Sequence, residues 1–124
     1  MRFILLLLLS GVVLSINKYS YHVGTGSVTE TVKMGEEFAI SLASNPTTGY
    51  RWELVAPSTD LETSSNEKYG DFETSGTGIG AGGKQVFRFN PRKVGLANLR
   101  FVHKRPWTDD DAKTVAVNLN IVLP

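Results

Sequence analysis

The strongest constraint on the fold is a two-residue alternation of apolar and polar side chains that recurs along the chain. It is clearest near the C-terminus, where Val115, Val117, Leu119, Ile121 and Leu123 occupy every second position. Side chains two residues apart lie on the same face of a β-strand, so this period predicts strands with one buried face. No stretch after residue 15 shows a convincing helical period. The sequence therefore predicts an all-β protein.

The same alternation marks other segments, which are separated by turns rich in Gly, Pro and Asn. The strongest are residues 37–44, 50–54, 84–90, 97–102 and 115–123, and the weaker ones are residues 18–23 and 27–32. About seven short antiparallel strands in a chain of this length predict an immunoglobulin-like antiparallel β-sandwich. The sequence has no cysteine, so the sandwich would have no disulfide.

Residues 1–15 have the features of a secretory signal peptide. Arg2 supplies a positive charge, and residues 4–14 are almost wholly apolar. A membrane anchor is the alternative, but such a short helix would reach only about 16 Å, roughly half of the hydrocarbon core. We expect cleavage after Ser15, with residues 16–124 forming a single domain in a secreted or endolysosomal protein.

Charge and cysteine content exclude several functions. The chain has 13 Lys and Arg residues and 12 Asp and Glu residues, and loss of Arg2 would make the two equal. This balance argues against binding to nucleic acid or a membrane surface, which requires clustered positive charge. Residues 53–73 carry six acidic side chains, and residues 84–105 carry seven basic ones, so we expect these segments to lie close together. The lack of cysteine excludes a thiol nucleophile and a cysteine-based zinc site.

Three connections between the predicted strands stand out, at residues 44–49, 56–83 and 104–113. In the first, Pro46 fixes its own φ and keeps Asn45 out of the helical region, and Gly49 allows a sharp turn into the next strand. Such a stiff loop would lose little entropy on docking into a cleft. An ordinary turn explains the same residues equally well.

The two tryptophans have different predicted environments. Trp52 alternates with Tyr50 and Leu54, which predicts a core position. Trp107 lies in a loop beside Pro106, and we expect it to be partly exposed, as tryptophans that anchor interfaces are. Packing of Trp107 back over the end of the sandwich is the alternative.

Other candidate sites are weaker. Residues 78–83 match G-x-G-x-x-G, but a predicted strand follows where a dinucleotide site needs a helix. His22 and His103 are not part of a metal-ligand motif, and residues 109–111 lack the spaced oxygen ligands of a calcium loop. The sequence has no G-x-S-x-G nucleophile elbow, so we expect no enzyme activity and no cofactor.

Three motifs occur in order, each between predicted strands: NPTTGY at Asn45–Tyr50, GAGG at Gly80–Gly83 and RPW at Arg105–Trp107. Together they resemble the chagasin-type inhibitors of cysteine peptidases found in protozoa and bacteria. The likeness extends from about Val28 to Leu123. It implies an immunoglobulin-like sandwich in which the three motifs lie on adjacent loops at one end.

The resemblance also implies a function, which is tight and reversible binding to papain-like peptidases such as papain and the cathepsin L and B types. Thr47 and Thr48 would meet the catalytic centre, with the GAGG and RPW loops on either side of the cleft. A monomer is expected, and the alternative is an adhesion or carbohydrate-binding module that uses the same loops. The implied peptidase-binding residues are Asn45, Pro46, Thr47, Thr48, Gly49, Tyr50, Gly80, Ala81, Gly82, Gly83, Arg105, Pro106 and Trp107, and no catalytic or metal-binding residue is implied.

Overall fold

The computed structural model describes residues 16–55, 60–74 and 82–124. The predicted signal peptide, Gly80 and Ala81 lie outside these ranges. Within them the only helical element is a 3₁₀ turn at Pro46–Thr48, and no helix is long and apolar enough to cross a membrane. The strands are β1 (Asn17–Tyr21), β2 (Ser27–Lys33), β3 (Phe38–Ser44), β4 (Arg51–Val55), β5 (Leu61–Thr63), β6 (Asp71–Thr74), β7 (Gly83–Pro91), β8 (Gly95–Lys104) and β9 (Lys113–Val122).

The strands form two sheets that pack face to face, which confirms the predicted sandwich. Sheet A has the order β1-β3-β7-β5, and β6 pairs with β7 beside β5. Sheet B has the order β2-β9-β8-β4. The chain passes from sheet A to sheet B and back through β1, β2 and β3.

Strand number and direction differ from the prediction. The described residues contain nine strands rather than about seven, because β5 and β6 are short pieces within the predicted long connection. Two pairs, β1 with β3 and β2 with β9, are parallel rather than antiparallel. Apolar alternation shows which face of a strand is buried but not which strand lies beside it, so it gave no indication of parallel pairing.

The core lies between the inner faces of the two sheets, and Trp52 is fully buried in it, as predicted. The alternation predicted that Leu123 continues the buried series of β9, and this prediction is wrong. The strand ends at Val122, and the Leu123 side chain is 69% exposed. The buried residues of this apolar core cluster are Val32, Phe38, Ile40, Leu42, Trp52, Leu54, Phe87, Phe89, Leu99, Phe101, Val115, Val117, Leu119 and Ile121.

Ion pairs join the acidic and basic segments, as the charge distribution predicted. Arg88 contacts Asp71 and Glu73 at N–O distances of 3.3 and 3.1 Å. Arg92 contacts Glu62 at 2.8 Å. The pairs follow from the sheet, because β5 and β6 lie along the same edge of β7.

Candidate functional site

Strand register brings the three predicted loops to one end of the sandwich. Ser44, the last residue of β3, pairs with Gly83, the first residue of β7. Arg51, the first residue of β4, pairs with Lys104, the last residue of β8. The described loop residues at this end are 45–50, 82–83 and 105–112, and we call them the loop end.

The first loop is braced by its own side chains. The Asn45 carboxamide oxygen accepts hydrogen bonds from the Thr47 backbone N–H at 3.3 Å and from the Thr47 hydroxyl at 2.6 Å. The Thr48 hydroxyl donates to the Asn45 carbonyl oxygen at 2.7 Å. Asn45 has an extended backbone, with φ −129° and ψ 92°, as expected before proline. Both threonine hydroxyls therefore stiffen the loop through hydrogen bonds to Asn45.

The third loop packs against the end of the first. Gly49 has a φ of 84°, in the left-handed region that favours glycine. A Cβ atom at this position would lie 3.3 Å from Cη2 of Trp107. The Arg105 guanidinium lies over the Tyr50 ring, 5.2 Å from its centroid. The NPTTGY and RPW motifs thus form one continuous surface.

Trp107 is exposed although it contacts the first loop. Its side chain is 72% exposed, which confirms the predicted loop position and excludes a tryptophan folded over the core. Pro106 beside it is also exposed. An apolar surface of this size has a large area to lose to a partner, so Trp107 is suited to anchor an interface.

The second loop enters β7 beside the first. Gly82 and Gly83 line one shallow depression together with Thr48 and Tyr50. A Cβ atom at Gly83 would lie only 2.5 Å from the Glu73 carbonyl oxygen, so β6 itself requires glycine there. At Gly82 a Cβ atom would meet nothing within 4 Å. Of these two glycines, only Gly82 has open space on its Cβ side.

An aromatic stack supports the loop end from below. The Tyr50 and His103 rings are parallel within 8° with centroids 5.1 Å apart, and the Trp52 ring, tilted by 52°, has its centroid 4.8 Å from that of His103. Partial burial of the imidazole lowers the pKa of His103, because it disfavours the charged form. The stack connects the first loop directly to the core.

The acidic residues of the third loop are at its surface. The Lys104 ammonium donates to the Asp109 carboxylate at 2.6 Å, and this hydrogen bond raises the pKa of Lys104. Asp110 and Asp111 are exposed. No cluster of three or more potential metal-binding side chains occurs in the described ranges. The loop end is thus a candidate binding surface that is partly apolar.

Sequence reasoning missed two supporting residues, Gln85 and His103. Gln85 has the same parity as Phe87 and Phe89 in β7, and His103 has the same parity as Leu99 and Phe101 in β8. Both continue an apolar face towards the loop end, so alternation alone could have predicted that they point inward.

Comparisons with known proteins identify the family. Residues 31–121 match the chagasin family of peptidase inhibitors, I42. The chain is similar to chagasin from Trypanosoma cruzi, with 34% identity over 101 residues, which are 74% of this chain and 89% of chagasin. Its fold resembles that of a cysteine protease inhibitor from Entamoeba histolytica, with a TM-score of 0.69 and 18% identity over 86% of this chain and 97% of the other. It also resembles PbICP-C, solved in complex with falcipain-2, with a TM-score of 0.64 and 16% identity over 86% and 99% of the two chains. The matched residues include β3 to β8 and nearly all of β9, and with them the whole loop end, so the chain belongs to the chagasin family of peptidase inhibitors.

Proposed function

We propose that the chain inhibits papain-like cysteine peptidases, tightly and reversibly, by filling the active-site cleft with its three loops. The family supplies the inhibitory activity, and the class of peptidase follows from the resemblance of the three motifs. The fold relatives agree with that class, since one is named a cysteine protease inhibitor and another is bound to falcipain-2.

The observation that carries this proposal is the stiffness of the first loop and its contact with the third. Pro46, Thr47 and Thr48 are exposed at the tip, and internal hydrogen bonds hold their conformation. A preformed loop loses little conformational entropy on binding. Its tip is a 3₁₀ turn rather than an extended strand, so it fills a cleft without presenting a cleavable peptide.

All three loops contact the peptidase in the proposed complex. The first loop enters at the catalytic cysteine of the peptidase, and the second and third loops contact the two walls of the cleft. Such an interface buries roughly 800 Å² on each partner, the standard size for inhibitor complexes. Trp107 is the principal anchor because it is the largest exposed apolar side chain of the described loop end.

Steady-state inhibition of papain and a cathepsin L-type peptidase tests the proposal. We expect competitive inhibition at nanomolar concentrations by protein that starts at Ile16. Trp107→Ala should weaken binding by about 2 kcal/mol or more, roughly thirty-fold, because it removes the anchor. Leu96→Ala is the matched control, since Leu96 is 83% exposed but lies at the opposite end of β8. It should leave the inhibition constant unchanged.

Two results would contradict the proposal. Folded wild-type protein that does not inhibit at micromolar concentration would exclude the activity. Equal losses from Trp107→Ala and Leu96→Ala would place the binding surface elsewhere.

We also propose that residues 1–15 are a cleaved signal peptide that directs the protein to a secreted or endolysosomal destination. The composition of this segment supports the proposal, with one basic residue followed by an apolar run. Mass spectrometry of the exported protein should give the mass of a chain that begins at Ile16. A mass that includes residues 1–15 would contradict cleavage.

A further inference from the structure

Gln85 is a polar side chain buried in the apolar core, just beneath the loop end. It lies on β7, two residues after Gly83, and is 0% exposed. Its neighbours on the same face of the strand are Phe87 and Phe89. Burying an amide is costly unless its hydrogen-bonding groups find partners, so its contacts are informative.

Four hydrogen bonds use the Gln85 side chain fully. Its carboxamide oxygen accepts from the Trp52 backbone N–H at 2.7 Å and from the Ser44 hydroxyl at 3.0 Å. Its amide nitrogen donates to the carbonyl oxygens of Trp52 and Tyr69, both at 2.8 Å. The side chain thus bonds to both the backbone N–H and the backbone carbonyl of Trp52, as a neighbouring strand would.

Two of these partners flank the first loop. Ser44 ends β3 just before the loop, and Trp52 is the second residue of β4 just after it. The two strands belong to different sheets, so the backbone ladder does not fix the distance between the two ends of the loop. The Gln85 amide connects both ends to β7, where the second loop enters.

We propose that Gln85 is the positioning residue that fixes the first loop relative to the second and so sets the affinity for the peptidase. This inference rests on the function proposed above. Gln85 acts through Ser44 and Trp52 and contacts no part of the enzyme. Its role requires two donors and an acceptor in one buried group, which the carboxamide supplies.

Gln85→Glu tests this role because a carboxyl group has a hydrogen-bond donor only while it is protonated, so its number of donors depends on pH. A protonated carboxyl can still donate to one of the two carbonyl oxygens and accept from Trp52 and Ser44. An ionised carboxylate has no donor and lies against both carbonyl oxygens. Burial raises the pKa of a carboxyl, so the protonated form should dominate at acidic pH and ionise as pH rises.

The measurement is the inhibition constant for papain from pH 5 to pH 8, divided at each pH by the wild-type value. This ratio cancels the pH dependence of the enzyme. For Gln85→Glu we expect a ratio of about three at pH 5, where one carbonyl oxygen has lost its donor. The ratio should rise about tenfold or more further by pH 8, as the second carbonyl oxygen loses its donor too. Asn98→Asp is the matched control, because Asn98 lies on the exposed face of sheet B and donates to Asn118. Its ratio should stay near one throughout.

Near-UV circular dichroism establishes that each variant is folded under the assay conditions. If Gln85→Glu unfolds at pH 8, Ser44→Ala decides, because it removes only one bond to the amide. It should weaken inhibition by about threefold or more. Ser41→Ala, a buried serine on the same strand, is its control.

The outcomes separate the two proposals. A wild-type protein that does not inhibit papain contradicts the proposed function itself. A wild-type protein that inhibits, with a folded Gln85→Glu variant whose ratio is flat across the pH range, overturns the positioning role alone. An unfolded Gln85→Glu variant together with unchanged inhibition by Ser44→Ala overturns it equally.

Discussion

Gly49, Gly82 and Gly83 all lie in the loop end, yet each lacks a side chain for a different physical reason. Gly49 has a positive φ and lies against Trp107. Gly83 lies so close to the β6 backbone that a Cβ atom would overlap the Glu73 carbonyl oxygen. Gly82 has open space on its Cβ side. The same residue type thus serves conformation at Gly49 and strand packing at Gly83, and leaves open space beside Gly82, within one site.

The double constraint at Gly49 leads to a prediction. Gly49→Ala should destabilise the fold by about 1 kcal/mol or more, because alanine resists a positive φ. It should also weaken peptidase inhibition, because the added methyl group lies 3.3 Å from the Trp107 ring and displaces it. Thermal unfolding and the inhibition constant, measured on the same preparation, test both effects.

Gly35→Ala is the matched control for this change. Gly35 has a φ of 81°, and a Cβ atom there would meet nothing within 4 Å. It lies at the opposite end of the sandwich, where its N–H donates to the Pro91 carbonyl oxygen at 2.9 Å. The two variants should unfold at similar temperatures, but only Gly49→Ala should inhibit less well. Equal inhibition by both would mean that the contact of Gly49 with Trp107 does not shape the binding surface.

At the scale of elements, alternation predicted the long strands because each has one face in the core. Strands β7, β8 and β9 fill the centre of the two sheets, and their inward faces are largely apolar, with Gln85 and His103 as polar residues near the loop end. Strands β5 and β6 could not be predicted in this way. They are three and four residues long, none of their residues is fully buried, and they owe their existence to pairing with β7.

The loop residues could be predicted from the sequence, but their support could not. Proline and glycine impose backbone geometry locally, so the shape of the first loop is encoded in its own residues. The partners of Gln85 are Ser44, Trp52 and Tyr69, which are 41, 33 and 16 residues away. Such contacts depend on which strands face each other, and a single sequence does not reveal this.

At the scale of the whole molecule, the loop end is an extension of the core rather than a set of separate loops. The stack runs from Tyr50 through His103 to the buried Trp52. Because this site adjoins the core, changes in its charge should alter the stability of the entire fold. The titration of His103 makes this testable.

Burial lowers the pKa of His103 in the folded protein below its ordinary value of about 6.5. Between the two pKa values the unfolded chain binds a proton that the folded protein does not, so protonation favours unfolding. The contribution of His103 to stability is therefore complete above about pH 6.5 and decreases as pH falls towards the folded pKa. We expect the melting temperature to decrease over this range.

His103→Phe isolates this effect, because phenylalanine keeps an aromatic ring beside Tyr50 and Trp52 but does not titrate. As pH falls below about 6.5, the melting temperature of wild type should decrease more than that of His103→Phe. His22→Phe is the control, since His22 is exposed in the turn between β1 and β2, and it should retain the wild-type profile. Parallel profiles for wild type and His103→Phe would show that the stack tolerates the imidazolium, because aromatic rings attract a cation. The measurement thus determines whether desolvation or the attraction of the rings for a cation dominates beneath the loop end.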